Sequence, residues 1–151
     1  MNRIPRNKGL SFFEILIAVA VITLVSTLSI SAFTSFRRAK AIDVTMSQTV
    51  SLLNKARHQT LDAKNGYAYG VRFNTDYIYL YQGSFSSSTP VQTVALDPFV
   101  KISAMNLAGG TNDVRFTRLT GETTATGTVS ISLRNNTGTS TITIYQSGLV
   151  Q

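Results

Sequence analysis

The 151-residue chain contains no cysteine and a single histidine, His58. Without thiols there is no disulfide framework and no thiolate metal site, so stability must come from packing alone. One histidine is too few for the usual zinc ligand sets and supplies no partner for a Cys/His nucleophile. Serine and threonine are plentiful, yet no Gly-x-Ser-x-Gly elbow occurs, and His58 has no spaced companions that would make a triad. These absences argue against an enzyme and against any bound cofactor. Charge is also missing from particular places. The first nine residues carry Arg3, Arg6 and Lys8 but no acid, and Ile15 to Phe36 holds no Asp, Glu, Lys or Arg.

That uncharged run would reach about 33 Å as a helix at roughly 1.5 Å per residue, enough to cross a bilayer. Its first half is apolar on all sides. In the second half Thr23, Ser26, Thr27, Ser29, Ser31, Thr34 and Ser35 dilute the apolar character, with hydroxyls able to bond back to the helix or across to neighbouring helices. Arg37, Arg38 and Lys40 mark the far interface and equal in number the three cations before the run, so charge count leaves the topology open. One acid, Glu14, stands at the start of the apolar stretch. A carboxylate at the bilayer centre costs on the order of 2.5 to 3.5 kcal/mol, and less near a helix start, so its presence calls for a function.

The segment Lys8-Gly9-Leu10-Ser11-Phe12-Phe13-Glu14 supplies one. A secretory signal is cut beyond its apolar region, whereas here the candidate cut, Gly9/Leu10, precedes it and would leave the apolar helix on the mature chain. The arrangement resembles the class III signal of type IV prepilins and type II secretion pseudopilins. The resemblance implies that a prepilin peptidase cuts after Gly9, that the new amino terminus on Leu10 is methylated, and that Glu14, the fifth mature residue, pairs with the amine of an adjacent subunit and sets assembly register. It also implies a cytoplasmic leader, a single pass through a bacterial inner membrane, and a later place in a periplasmic or surface filament. The partners it implies are the peptidase, membrane lipid before assembly, and other pilin or pseudopilin subunits along the N-terminal helix. The layout is then a basic leader (1–9), a transmembrane and assembly helix (10–36), an amphipathic helix (37–65) and a β-rich domain (66–151). Loss of the leader lowers the formal net charge from +7 to +4, a modestly basic surface and not a nucleic-acid footprint. Thr23 and Ser31 stand where major pilins have a helix-breaking Gly and Pro, so a continuous helix is expected, as in a minor subunit.

Beyond Lys40, Ile42, Met46, Val50, Leu53, Ala56 or Arg57, and Leu61 recur at three- to four-residue steps, one helical stripe that reads as the seam against a sheet. Lys64 with Asn65-Gly66 predicts the helix end. From there short β-rich runs alternate with turn residues. Tyr67 to Phe73 and Tyr77 to Gln82 read as a hairpin about Asn74-Thr75-Asp76, and Gly83 to Pro90 as a loop. Val91 to Leu96 and Phe99 to Met105 are strands broken by Asp97-Pro98, and Asn106 to Asn112 is a turn. Val114 to Leu119 sets Val114, Phe116 and Leu119 against Arg115, Thr117 and Arg118. Thr128 to Arg134 and Ser140 to Gln146 form a second hairpin through Asn135-Asn136-Thr137-Gly138, with Val129, Ile131, Leu133, Ile142 and Ile144 inward. A last short strand follows Gly148. The expected fold is α+β: a long N-terminal helix packed on a mostly antiparallel β domain, as in pilins. Val114-Arg115-Phe116 through Gly121, and Ile142-Thr143-Ile144 through Gly148, resemble more narrowly the GspH/FimT-like minor pseudopilins.

Other features have plain readings. His58 is expected to be solvated, and Asn135-Asn136-Thr137 matches a glycosylation sequon by chance. The alternative function, a DNA-receptor pilin for competence, rests in that family on a C-terminal Gly-Arg-x-Arg; here the stretch is Gly148-Leu149-Val150-Gln151, with both arginines absent. Tyr67, Tyr69, Arg72, Tyr77, Tyr79 and Tyr81 interleave rings with a cation on two adjacent strands, but tyrosine is also a good sheet former.

Overall fold

The computed structural model describes residues 11–85, 90–135 and 137–151. Among these residues one α-helix, α1 (Phe12–Leu61, 50 residues), is followed by seven strands. These are β1 (Tyr69–Phe73), β2 (Tyr77–Gln82), β3 (Gln92–Ala95), β4 (Val100–Leu107), β5 (Asp113–Arg115), β6 (Gly127–Leu133) and β7 (Thr139–Ile144). The chain divides between Arg37 and Arg38 into two compact units.

In the first unit, α1 runs through Thr23 and Ser31 without a break, as the absence of Gly and Pro there predicts. Its large apolar side chains, from Phe12 to Phe36, are all at least half exposed.

In the second unit all pairings among the strands are antiparallel. One sheet has the order β3-β2-β1-β5 and the other β4-β6-β7. The first hairpin forms as expected, with Phe73 opposite Ile78 across the turn. In the second, Val129, Ile131, Leu133, Ile142 and Ile144 are buried, and the Leu133 N–H donates to the Gly138 carbonyl at 3.0 Å. The last strand is reduced to a bridge, in which Thr143 and Gln151 exchange N–H···O bonds of 2.7 and 3.0 Å. One buried cluster joins Ala41, Ile42, Leu52, Leu53 and Ala56 of α1 to Val71, Phe73, Ile78, Leu80 and Val114 of the first sheet and to the inward residues of the second.

Two expectations are corrected. The helix ends at Leu61, not Lys64: Ala63 and Asn65 adopt positive φ (46° and 54°), and Lys64–Gly66 is a separate 3-10 turn. The earlier stop turns the chain back so that Tyr69 reaches Thr60. Leu119 does not point inward. It is 85% exposed at φ 74°, in the turn that follows the short β5, because β-structure stops at Arg115. The Gly83 to Pro90 loop falls partly outside the described residues, as does Asn136.

The apolar stripe underestimates the seam. Thr45, Thr49 and Thr60 are buried in it as well. A buried threonine must place its hydroxyl, and each helical one can do so on the preceding turn. Thr49 donates to the Thr45 carbonyl and Thr60 to the Ala56 carbonyl. Thr60 Oγ1 also accepts the Tyr69 N–H at 2.8 Å, tying helix to sheet. Thr60→Val keeps the shape and orphans a buried N–H, so it is expected to cost about 1 to 3 kcal/mol. A lower urea midpoint at unchanged slope would register this; an unchanged midpoint would show that the bond carries no weight.

Candidate functional site

The residues singled out at the N-terminus are only partly visible. Gly9 and Leu10 lie outside the described residues. Glu14 sits in the first turn of α1, where its own N–H and that of Ile15 donate to the Ser11 carbonyl at 3.0 and 3.2 Å. Ser11 is thus the residue from which the helix starts and Glu14 its third helical position, an arrangement that favours a carboxylate through the helix dipole. Ser11-x-x-Glu14 is a capping-box spacing, a signal the apolar surroundings hide in the sequence. Glu14 is exposed, as are Phe12, Phe13, Ile15 and Leu16 around it.

Further along, the hydroxyls turn inward on their own helix. Thr23 donates to the Ala20 and Val19 carbonyls, Ser26 to Ile22, Thr27 to Leu24, Ser29 to Val25 and Thr34 to Ile30, at 2.7 to 3.0 Å. Their donors are used within one turn. The helix can therefore face hydrocarbon at these positions without an unpaired O–H.

In the β domain, Ala56 is buried and its neighbour Arg57 reaches across the fold. Arg57 Nε donates to the Gly121 carbonyl and Nη2 to the Ser147 carbonyl, both at 3.2 Å. Gly121 and Gly148, far apart in sequence, meet here: a methyl group on Gly148 would lie 2.1 Å from the Gly121 oxygen. The tyrosines divide between two environments. Tyr69 and Tyr81 are buried, whereas Tyr77 is exposed and Tyr79 half-buried. The Tyr81 ring lies over Gly70 and its hydroxyl donates to Asp113 Oδ2 at 2.8 Å. Burial first, and then the Asp113 carboxylate, push the Tyr81 phenol well above its ordinary range, so it remains a donor. His58 is exposed, and among the described residues no three of His, Asp and Glu converge on a metal position.

Two solved structures share this arrangement of helix and sheets. Both are of the minor pseudopilin EpsH from the type II secretion system of Vibrio cholerae. One superposes with a TM-score of 0.58 at 13% identity, covering 74% of this chain and 92% of that one. The fold is that of a minor pseudopilin. The other superposes with a TM-score of 0.54 at 14% identity, covering 72% and 93%. No family profile and no curated protein sequence matches the chain. At such identities the pseudopilin likeness is carried by backbone path and not by shared side chains. It includes the α+β architecture expected from sequence, while Gly9, Leu10 and Glu14 acquire no role from it.

Proposed function

We propose that the chain is a prepilin whose mature form is a minor subunit of a type II secretion pseudopilus or a related type IV filament. It acts by assembly and not by turnover. The observation that carries the reading is the coexistence of a pseudopilin fold with an unbroken helix whose large apolar side chains from Phe12 to Phe36 are exposed. Such a surface needs lipid or other helices to cover it. In this reading the helix first spans the inner membrane with the basic leader inside. Prepilin peptidase cuts between Gly9 and Leu10, the Leu10 amine is methylated, and the subunit then exchanges lipid for neighbouring helices. Glu14 meets the Leu10 amine of an adjacent subunit, so that two charges costly in lipid offset each other. The DNA-receptor alternative gains no support: Leu149 and Gln151 are held in main-chain bonds to Tyr145 and Thr143, the stretch from Gly148 to Gln151 contains no arginine, and the nearby Arg57 is engaged with the Gly121 and Ser147 carbonyls.

The test is to express the full chain in membranes with and without a prepilin peptidase and read the intact mass. The expected product lacks residues 1–9 and carries one added methyl group, Gly9→Val abolishes both changes, and the cut form is recovered in sheared filaments. An uncut chain in filaments, or a cut on the far side of the apolar run, would overturn the proposal.

A further inference from the structure

The outer face of the β3-β2-β1-β5 sheet carries side chains that neither the core nor the apolar helix employs. The inward residues Val71, Phe73, Ile78, Leu80 and Val114 are buried, so strand alternation turns Tyr77, Tyr79, Arg72 and Arg115 outward. They form an ordered group. The Tyr77 and Tyr79 rings stack at 6.2 Å between centroids, inclined by 24°. Phe85 leans on Tyr79 at 6.2 Å and meets Tyr81 edge-on at 5.4 Å. The Arg72 guanidinium sits 4.3 Å from the centre of the Phe85 ring. Arg115 is exposed on the neighbouring strand, opposite Gly70.

Tyrosine, phenylalanine and arginine are the residues that concentrate binding energy at protein interfaces, and rings fixed by mutual packing lose little rotamer entropy on docking. Arg72 is already held by Phe85, with its planar fork available for a carboxylate. The chemistry of the occupant follows from charge. Asp113, opposite Arg72 on this face, accepts the Tyr81 hydroxyl, and one carboxylate against the two guanidiniums of Arg72 and Arg115 leaves the group net positive, so a complementary partner is acidic. A nucleic acid fits poorly. Its phosphates would cross Asp113 on one side and Asp76, next to Tyr77 and paired with Arg134, on the other, where a phosphate track needs uninterrupted positive charge. A second copy docking symmetrically by the same face would set two net-positive groups against each other.

We propose that this face docks a neighbouring filament subunit of different sequence, which presents carboxylates to Arg72 and Arg115 and an apolar side chain to Tyr77 and Tyr79. The proposal rests on the filament reading above. In the test, a photo-crosslinking benzoylphenylalanine replaces Tyr77 in the full chain, in cells assembling the filament, and conjugates are identified by mass spectrometry. The expected result is one conjugate with another filament subunit, through a peptide containing Asp or Glu. Arg72→Glu with Arg115→Glu should lower its yield by about tenfold or more, and reversing the partner's acid to Arg should restore it. Arg115 is exposed and Arg72 half-buried with its side chain outward, and an unchanged thermal midpoint of the double variant controls for folding. Conjugates with a second copy, conjugates lost on nuclease treatment, or a yield indifferent to the arginines would overturn it. If the chain enters sheared filaments while one of these occurs, only the docking face is wrong; if it never enters filaments, the filament reading falls and this proposal with it.

Discussion

Gly148→Ala is expected to remove a large part of the stability of the β domain, by more than about 4 kcal/mol, where small domains hold about 5 to 15 in all. Two effects add. Gly148 has φ 76°, where an L side chain costs about 1 kcal/mol, and its new methyl would lie 2.1 Å from the Gly121 carbonyl oxygen. That oxygen is backbone and cannot rotate away. It also accepts from Arg57 Nε, which would itself be 2.8 Å from the methyl, so relief of the clash breaks the link between α1 and the Gly121 turn. Gly109 provides the contrast: its φ is 84°, but nothing lies within 4 Å of the added methyl. Gly109→Ala should therefore show the conformational cost alone, about 1 kcal/mol. Thermal melts of the full chain in detergent, followed by tyrosine fluorescence, separate the two. The Gly148→Ala midpoint should fall by about 15 °C or more, and the Gly109→Ala midpoint by about 4 to 8 °C. Equal shifts would mean that the Gly121 approach is not a tight one.

Glu14→Leu is expected to leave membrane insertion intact, or to improve it, while reducing recovery in sheared filaments by about a hundredfold or more. The asymmetry follows from the proposed pairing. In the bilayer the carboxylate is a liability, so its removal is tolerated. In the filament its loss leaves a neighbour's Leu10 amine buried without a counter-charge, a defect on the order of 3 to 5 kcal/mol. Glu14→Gln tests whether charge or hydrogen bonding matters, and should resemble Glu14→Leu. The helix start itself should hold, because the Glu14 and Ile15 N–H groups bond the Ser11 carbonyl, which the substitution does not touch. Quantifying the chain in membrane and filament fractions from the same cells decides the matter. Filaments that take up Glu14→Leu at the normal level would remove Glu14 from assembly.

Much of the fold was legible because the strands alternate cleanly. Val129, Ile131, Leu133, Ile142 and Ile144 could be placed inward from period-two patterning alone, and all five are buried. The hairpin about Asn74-Thr75-Asp76 was equally plain from its turn residues. Pattern fails where a polar residue does apolar work or where a local rule yields to a distant contact. Thr45, Thr49 and Thr60 look like surface in a hydropathy stripe, yet each is buried. The helix end is not legible because nothing near Leu61 in sequence announces that Tyr69 will bond Thr60. At the site, the sequence shows Gly121 and Gly148 only as pattern glycines, and their reason lies in Arg57, a contact across most of the domain that no local spacing reveals. The split of the tyrosines into buried Tyr69 and Tyr81 and outward Tyr77 and Tyr79 likewise depends on Gly70 leaving room for a ring.

The inward-turned hydroxyls of α1 bear on how such helices move past one another. Thr23, Ser26, Thr27, Ser29 and Thr34 each spend their proton on a carbonyl of the same helix. A neighbouring helix therefore meets a rod that offers few directional bonds along this stretch, and sliding by a turn breaks little that is specific. In the proposed filament such a stretch would resist lateral sliding little, and axial position would fall to groups near the end of the rod, as the Glu14 reading supposes.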